Sequence, residues 1–307
     1  MPKLSVVIPF YNEPSLAPLL AELDLVESKL SDLGFELESI FVDDGSESRA
    51  SLNELLEHKK ENENLKVIRL ARNFGAFHAI KTGFTFVSGD CFATLSADLQ
   101  DPPSLLVEMA EKWQSGSKFV ICVRAEREDP LGTRAFASLY YTLIRATAIR
   151  DFPKSGYDLA LMDKAFLPYL QQSSVQINYR LLAYWLGFEP DAIFYKREKR
   201  VAGESHWGLG KRINLFIDSI IGFSIWPARA IAVLGAALSF ASINALGAQL
   251  VTIGNAGGEW LTLGIALSLI SFMFGLVLVA LGIVAEYLQR IFAIVTGKPE
   301  VIIEQVY

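Results

Sequence analysis

Two stretches constrain this chain more than any other feature. Ala230 to Ile253 and Leu261 to Ala285 run without a single charged side chain, in a chain of 307 residues. At about 1.5 Å of rise per residue, each exceeds the roughly 30 Å hydrocarbon core of a bilayer, so two transmembrane helices with slack for tilt are expected. The connection Gly254-Asn255-Ala256-Gly257-Gly258-Glu259 is short, which makes the pair a hairpin. Lys211, Arg212 and Arg229 precede it, Arg290 and Lys298 follow it, and the connection carries no Lys or Arg. Both termini are therefore expected on the cytoplasmic side of the cell's inner membrane. Met1-Pro2-Lys3 leads straight into a strand, so no cleaved signal is expected.

Charge divides the chain further. Residues 1 to about 210 carry most of it, and the net charge of -6, with no basic stripe interleaved with aromatics, argues against nucleic acid. Cys91 and Cys122 lie in strand-like runs and read as small buried hydrophobes in a reducing compartment. The three histidines and two cysteines make no zinc spacing. Ile213, Phe216, Ile217, Ile220 and Ile221 recur at helical spacing, a stripe suited either to the membrane interface or to packing on the soluble domain. The expected layout is a soluble domain at 1–208, an amphipathic juxtamembrane helix at 209–228, spans at 229–253 and 260–286, and a cytosolic tail at 287–307.

Within the soluble part, strands alternate with helices. Leu4 to Pro9, Leu37 to Val42, Leu65 to Leu70, Cys91 to Leu95 and Lys118 to Val123 read as strands. Helices are expected at about 14–33, 49–60, from Gly75 to near Ser88-Gly89, 103–115 and 133–150. That order implies an α/β fold with a mostly parallel sheet, its loops converging on one ligand edge. No Gly-x-Gly-x-x-Gly or Walker sequence occurs. Thr94 to Pro103 ends the central strand in Asp98, Gln100 and Asp101, oxygen donors that suit Mg²⁺ or Mn²⁺ completed by substrate phosphates. An acidic helix cap before proline would look the same.

Ile8-Pro9-Phe10-Tyr11-Asn12-Glu13, Val42-Asp43-Asp44-Gly45-Ser46, Arg72-Asn73-Phe74-Gly75, Ala97-Asp98-Leu99-Gln100-Asp101-Pro102-Pro103 and Arg200-Val201-Ala202-Gly203-Glu204-Ser205 follow one another in register. In this the chain resembles the family 2 glycosyltransferases, and more narrowly the polyprenyl-phosphate group that contains dolichol-phosphate mannose synthase and the bactoprenol glucosyltransferases. The resemblance runs the length of the chain. It implies a nucleotide-sugar-binding fold of the GT-A type. It also implies that Pro9, Tyr11, Glu13, Val42 and Asp44 hold base and ribose, and that Ser96 and Ala97 lie against the nucleotide. Asp98 and Gln100 fall on the metal-ligand positions, Arg124 on an arginine near the phosphates, and Arg200 on a loop arginine that closes over donor and acceptor phosphates. Ser205 and His206 share that loop and would face the acceptor phosphate.

Three departures stand out. Ser96 occupies the place of an aspartate in Asp-Ala-Asp-Leu-Gln, His206 that of a lysine, and Ala160 that of the arginine in a Gly-x-Asp-Phe-Arg pattern. Asp158 of that pattern is retained and is a candidate for a sugar hydroxyl. The reaction so implied is inverting transfer from a nucleotide diphosphate sugar, expected to be a UDP-sugar, to undecaprenyl phosphate, for modification of a cell-envelope glycan. The alternative is a non-catalytic scaffold that binds sugar nucleotide or lipid with a degenerate metal site. A serine hydrolase is disfavoured because Gly203-Glu204-Ser205-His206-Trp207 lacks the second glycine of a nucleophile elbow. Two helices without charged or broken midplane segments disfavour a transporter. Gly247, Gly264 and Gly275 allow close helix approach in lipid and hence a homo-oligomer.

Overall fold

The computed structural model describes residues 1–125, 131–174, 177–196, 216–219, 222–223, 226–252, 259–296 and 299–307. It divides into two units, Met1–Gly222 with Pro299–Tyr307, and Phe223–Lys298. The first unit holds β1 (Lys3–Phe10), α1 (Ala17–Asp32), β2 (Glu36–Asp43), α2 (Ala50–Lys59), β3 (Leu65–Leu70), α3 (Ala76–Phe84) and β4 (Cys91–Thr94). There follow α4 (Leu105–Gln114), β5 (Phe119–Arg124), α5 (Leu131–Thr147), β6 (Leu159–Asp163), α6 (Leu167–Gln172), α7 (Tyr179–Trp185) and β7 (Asp191–Tyr195).

β1, β2 and β4 are buried along nearly their whole length; β1 and β4 are accordingly mainly apolar, whereas β2 also buries Glu38, Ser39 and Asp43. β4, β1, β2 and β3 are parallel neighbours. The strand order reverses between β4 and β1, so a crevice opens at their carboxyl ends. β6 enters antiparallel between β4 and β5, and β7 lies parallel beside β5. The α/β expectation with a mostly parallel sheet is met.

Other boundaries move for identifiable reasons. α3 stops at Phe84, short of Ser88-Gly89, because those residues anchor the entry to β4. Ser88 donates twice to Glu38, and Gly89 N–H donates to Ser5 Oγ. Burial would push the Glu38 carboxyl up, but Lys66, Ser5 and Ser88 together hold it below its ordinary value.

The last residues return to the first unit as β8 (Ile303–Val306), antiparallel to β3 at the sheet edge. Ala71 N–H donates to Ile302 O at 3.0 Å and Tyr307 N–H to Val67 O at 2.9 Å. Arg69 pairs with Glu304 at 2.7 Å, and Lys81 with Glu300 at 2.6 Å. An uncovered β3 would leave a row of unpaired backbone groups, which β8 satisfies in part.

The second unit consists of α8 (Trp226–Thr252) and α9 (Glu259–Val295), packed against each other. α9 therefore runs past the expected end at 286. α8 begins inside the segment expected to be the interface helix, its proline falling in the first turn, where a missing N–H costs little. Phe272–Gln289 is long and apolar enough to cross a membrane, with mean hydropathy 1.9. Among the described residues the apolar stretch of α8, Ala228–Leu238, is shorter. Among the described residues one candidate crossing is present where two were expected. The connection at 254–258, and most of the stripe from Ile213 to Ile221, lie outside the described residues.

Deleting Pro299–Tyr307 is expected to cost about 1–2 kcal/mol, lowering the melting temperature of the first unit by roughly 2–8 °C. An unchanged melting curve, followed by circular dichroism in detergent, would refute the edge-strand assignment.

Candidate active site

Loops after β1, β2 and β3 are latched to one another by buried polar groups. Asp43 is wholly buried; it accepts from Arg69 Nη1 at 2.6 Å and from Ser46 N–H at 2.9 Å. Asp44, also buried, accepts from the Phe74 and Gly75 amides at 2.8 Å each. Burial raises the Asp44 pKa, and those two amides oppose the rise. Gly45 has φ +70°, and a Cβ there would lie 2.3 Å from the Arg72 carbonyl carbon, so the turn admits no side chain. Asn12, at φ +50°, donates its N–H to Ser46 Oγ and accepts from Glu47 N–H, each at 2.9 Å. Ser51 Oγ donates to the Glu13 carbonyl.

The loop after β4 leaves the strand beside β1 at the same carboxyl edge. Leu99 sits at φ +54°, a conformation uncommon for a branched side chain, between Asp98 and Gln100. Gln100 N–H donates to Asp98 Oδ1 at 3.2 Å. Asp101 is buried and accepts from Tyr195 Oη at 2.5 Å and from Ser96 Oγ at 3.2 Å. Tyr195 Oη also lies 3.3 Å from Asp158 Oδ2. Arg124 grips Asp158 with Nε at 2.5 Å and Nη2 at 2.7 Å. Burial, together with Asp158 and Asp101, pushes the Tyr195 phenol well above its ordinary range. One chain of polar contacts thus joins Ser96, Asp101, Tyr195, Asp158 and Arg124.

A model of glycosyl transferase family 2 matches residues 5–167, more than half of the chain. The chain belongs to that family. An uncharacterised glycosyltransferase of Synechocystis is 32% identical over 304 residues, 97% of this chain and 93% of the relative. An undecaprenyl-phosphate 4-deoxy-4-formamido-L-arabinose transferase of Yersinia enterocolitica is 32% identical over 314 residues, 99% and 93% of the two chains. Among solved structures, a mannosyltransferase of Pyrobaculum calidifontis in complex with GDP-Man and Mn²⁺ is similar at 16% identity, covering 95% of this chain and 88% of that one, with a TM-score of 0.45.

In this family 2 glycosyltransferase the described candidates other than Arg124 and Asp158 fall into two groups. Tyr11, Glu13, Ser96, Ala97, Asp98 and Gln100 are partly exposed on loops at the carboxyl edge, and Pro9 is partly exposed near the end of β1. Val42 and Asp44 are turned inward: Val42 has no exposed surface, and both carboxylate oxygens of Asp44 hold backbone amides. Arg200, Ser205 and His206 lie outside the described residues. The role of Tyr195 in tying Asp101 to Asp158 had no signal in the sequence, because β7 shows no long apolar run. Both cysteines are free and buried, and burial raises their thiol pKa values, so they serve packing rather than chemistry.

Among the described residues no cluster of three or more His, Cys, Asp or Glu could hold a metal ion. Asp98 and Gln100 of the glycosyltransferase nevertheless offer two hard oxygen donors on one strained turn. That set fits a Mg²⁺ or Mn²⁺ ion whose remaining ligands are phosphates and water.

Tyr195→Phe would remove the 2.5 Å hydrogen bond that the buried Asp101 carboxylate accepts. A destabilisation of about 1–3 kcal/mol is expected by thermal or urea unfolding, and wild-type stability would contradict the network. Gly45→Ala is expected to cost about as much, through the positive φ and the clash with the Arg72 backbone.

Proposed function

We propose that this glycosyltransferase moves a sugar from a nucleotide diphosphate sugar to a polyprenyl phosphate, undecaprenyl phosphate, at the cytoplasmic face of the membrane. The reading is carried by one observation: a family 2 sheet with its loops gathered at the crevice is continuous, in a single chain, with an apolar helical unit. The Yersinia relative named for undecaprenyl phosphate spans both. The return of residues 299–307 to the sheet supports the topology. Both ends of the helical unit connect to the same folded unit, which requires an even number of crossings and so favours a two-helix hairpin.

The acceptor phosphate, with a second pKa near ~6 by analogy with phosphorylated side chains, is already anionic at neutral pH and needs no strong general base. The protein has to bring two anions together and support the departing nucleoside diphosphate. Asp98 and Gln100 would hold Mg²⁺ or Mn²⁺, which supplies positive charge to the diphosphate when bound. Asp158 is fixed by Arg124 and Tyr195 and would accept from a sugar hydroxyl. Arg124 spends Nε and Nη2 on Asp158, and its Nη1, without a hydrogen-bond partner among the described residues, would meet a phosphate oxygen. Arg200, Ser205 and His206 would close over the phosphates. Direct attack at the anomeric carbon inverts its configuration.

The test is a transfer assay with the full chain in detergent, undecaprenyl phosphate, Mg²⁺ or Mn²⁺ and a panel of UDP-, GDP- and TDP-sugars, read by mass of the lipid product. One donor should yield a lipid-phosphate sugar, and Asp98→Ala should lower kcat/KM by about 10²–10³-fold. Donor binding without turnover across the whole panel would overturn the reading. Ser96→Asp sets a second carboxylate against Asp101. This variant should melt below wild type in EDTA and recover part of the difference when Mn²⁺ is added. Equal melting in both conditions would show that position 96 does not face the ion.

A further inference from the structure

Arg180 is a half-buried cation of the first unit whose placement the preceding reading does not use. Its backbone is pinned at both ends: N–H donates to Asn178 Oδ1 at 3.0 Å, and its carbonyl accepts from Tyr157 Oη at 2.5 Å. Its guanidinium is held by Tyr179, with Nε donating to Oη at 3.1 Å and the guanidinium carbon 5.7 Å from the ring centroid. That hydroxyl lies 3.1 Å from Thr94 Oγ1, at the end of the strand that leads into the Asp98 loop. Arg180 is therefore one hydroxyl away from the carboxyl end of β4. Its charge is also felt at Tyr140, which bonds Ser219 at 3.0 Å and packs on Phe216, in the segment leading toward the apolar helices.

Its partners differ from those of Arg69 and Arg124. Arg69 is neutralised by Asp43 and Glu304, and Arg124 by Asp158. Among the described residues Arg180 makes no ion pair, and its two terminal nitrogens have no hydrogen-bond acceptor. A partly buried guanidinium gives up hydration, and that cost is ordinarily offset by a carboxylate or a phosphate. Asp158 contributes attraction but already belongs to Arg124.

We propose that Arg180 is a phosphate-binding residue of this site, its terminal nitrogens donating from the first turn of α7 to an oxyanion of one substrate. The proposal rests on the transfer reaction above for the identity of the phosphate, which belongs either to the donor diphosphate or to the lipid acceptor. A bidentate fork on a phosphate group is the geometry that arginine serves and lysine serves less well.

Calorimetric titration of the full chain in detergent with Mn²⁺ tests this, using UDP or GDP for the donor and farnesyl phosphate for the acceptor, with farnesol as the phosphate-free control. Arg180→Gln should weaken one probe by about tenfold, equivalent to about 1.4 kcal/mol, and leave the other within about twofold. The weakened probe identifies the phosphate. Arg180→Lys should fall between wild type and Arg180→Gln, and the ligand-free melting temperature should hold in both. Binding of both probes unchanged in Arg180→Gln overturns the proposal. So does a parallel loss of both probes with lowered melting temperatures in both variants, the signature of a structural role. A wild type that transfers no sugar yet loses farnesyl phosphate or nucleotide when Arg180 is changed keeps this phosphate site and removes the proposed reaction. A wild type that binds neither probe removes both.

Discussion

Buried carboxylates at the carboxyl edge of the sheet are the constraint around which the site is built. Asp43, Asp44 and Asp101 are each almost fully withdrawn from water. A carboxylate in that position is tolerated only when hydrogen-bond donors surround it, so each dictates the path of a neighbouring segment. Asp44 fixes the Phe74 and Gly75 amides, Asp43 fixes Arg69 and the turn to Ser46, and Asp101 requires Tyr195 and Ser96. Three loops and one distant strand are thereby placed around the crevice before any substrate arrives. Such preorganisation lets binding energy go to the reaction rather than to ordering the protein.

Arg69 extends this control to the end of the chain. Its guanidinium reaches Asp43, the Ser46 carbonyl and Glu304, so one side chain joins the turn after β2 to the C-terminal strand. Burial works against its charge, but Glu304 and Asp43 outweigh that and raise its pKa, which keeps it a cation throughout the physiological range. The strand that closes the sheet edge and the loop that carries Asp44 are therefore coupled electrostatically as well as through β3.

What could be read from residues alone follows the range of the interactions involved. β1, β4 and β5 were legible because a strand buried on both faces is a mainly apolar run, as in Leu4 to Pro9 and Cys91 to Leu95, and β2 and β3 from shorter apolar stretches such as Ile40 to Val42 and Val67-Ile68. β7 alternates between exposed and buried positions, and β8 is exposed throughout, so neither carries a pattern of that kind. β8 is a strand because β3 offers it a partner, and its ion pair with Arg69 spans 235 positions of sequence. The same distinction runs through the site. Asp98, Gln100 and Asp158 could be named from short motifs, whereas the inward turn of Asp44 and the roles of Tyr195 and Arg180 depend on segments that meet only in the folded sheet.

Ser96 shows why a local departure from a pattern is a poor guide to lost function. Taken alone, a serine in place of an aspartate removes a carboxylate from the metal-facing loop and favours a binding scaffold. In the folded chain that serine donates to Asp101, a buried carboxylate five positions on that Tyr195 also serves. An aspartate at 96 would present a second negative charge to Asp101 where burial has already removed water, and one of the two would have to take up a proton or move away. A hydroxyl at that position satisfies Asp101 instead and leaves Asp98 as the carboxylate on the open side of the turn. The substitution is consistent with a working site in which Asp101 is structural and Asp98 faces the substrate, with the linked Asp158 and Arg124 retained beside it.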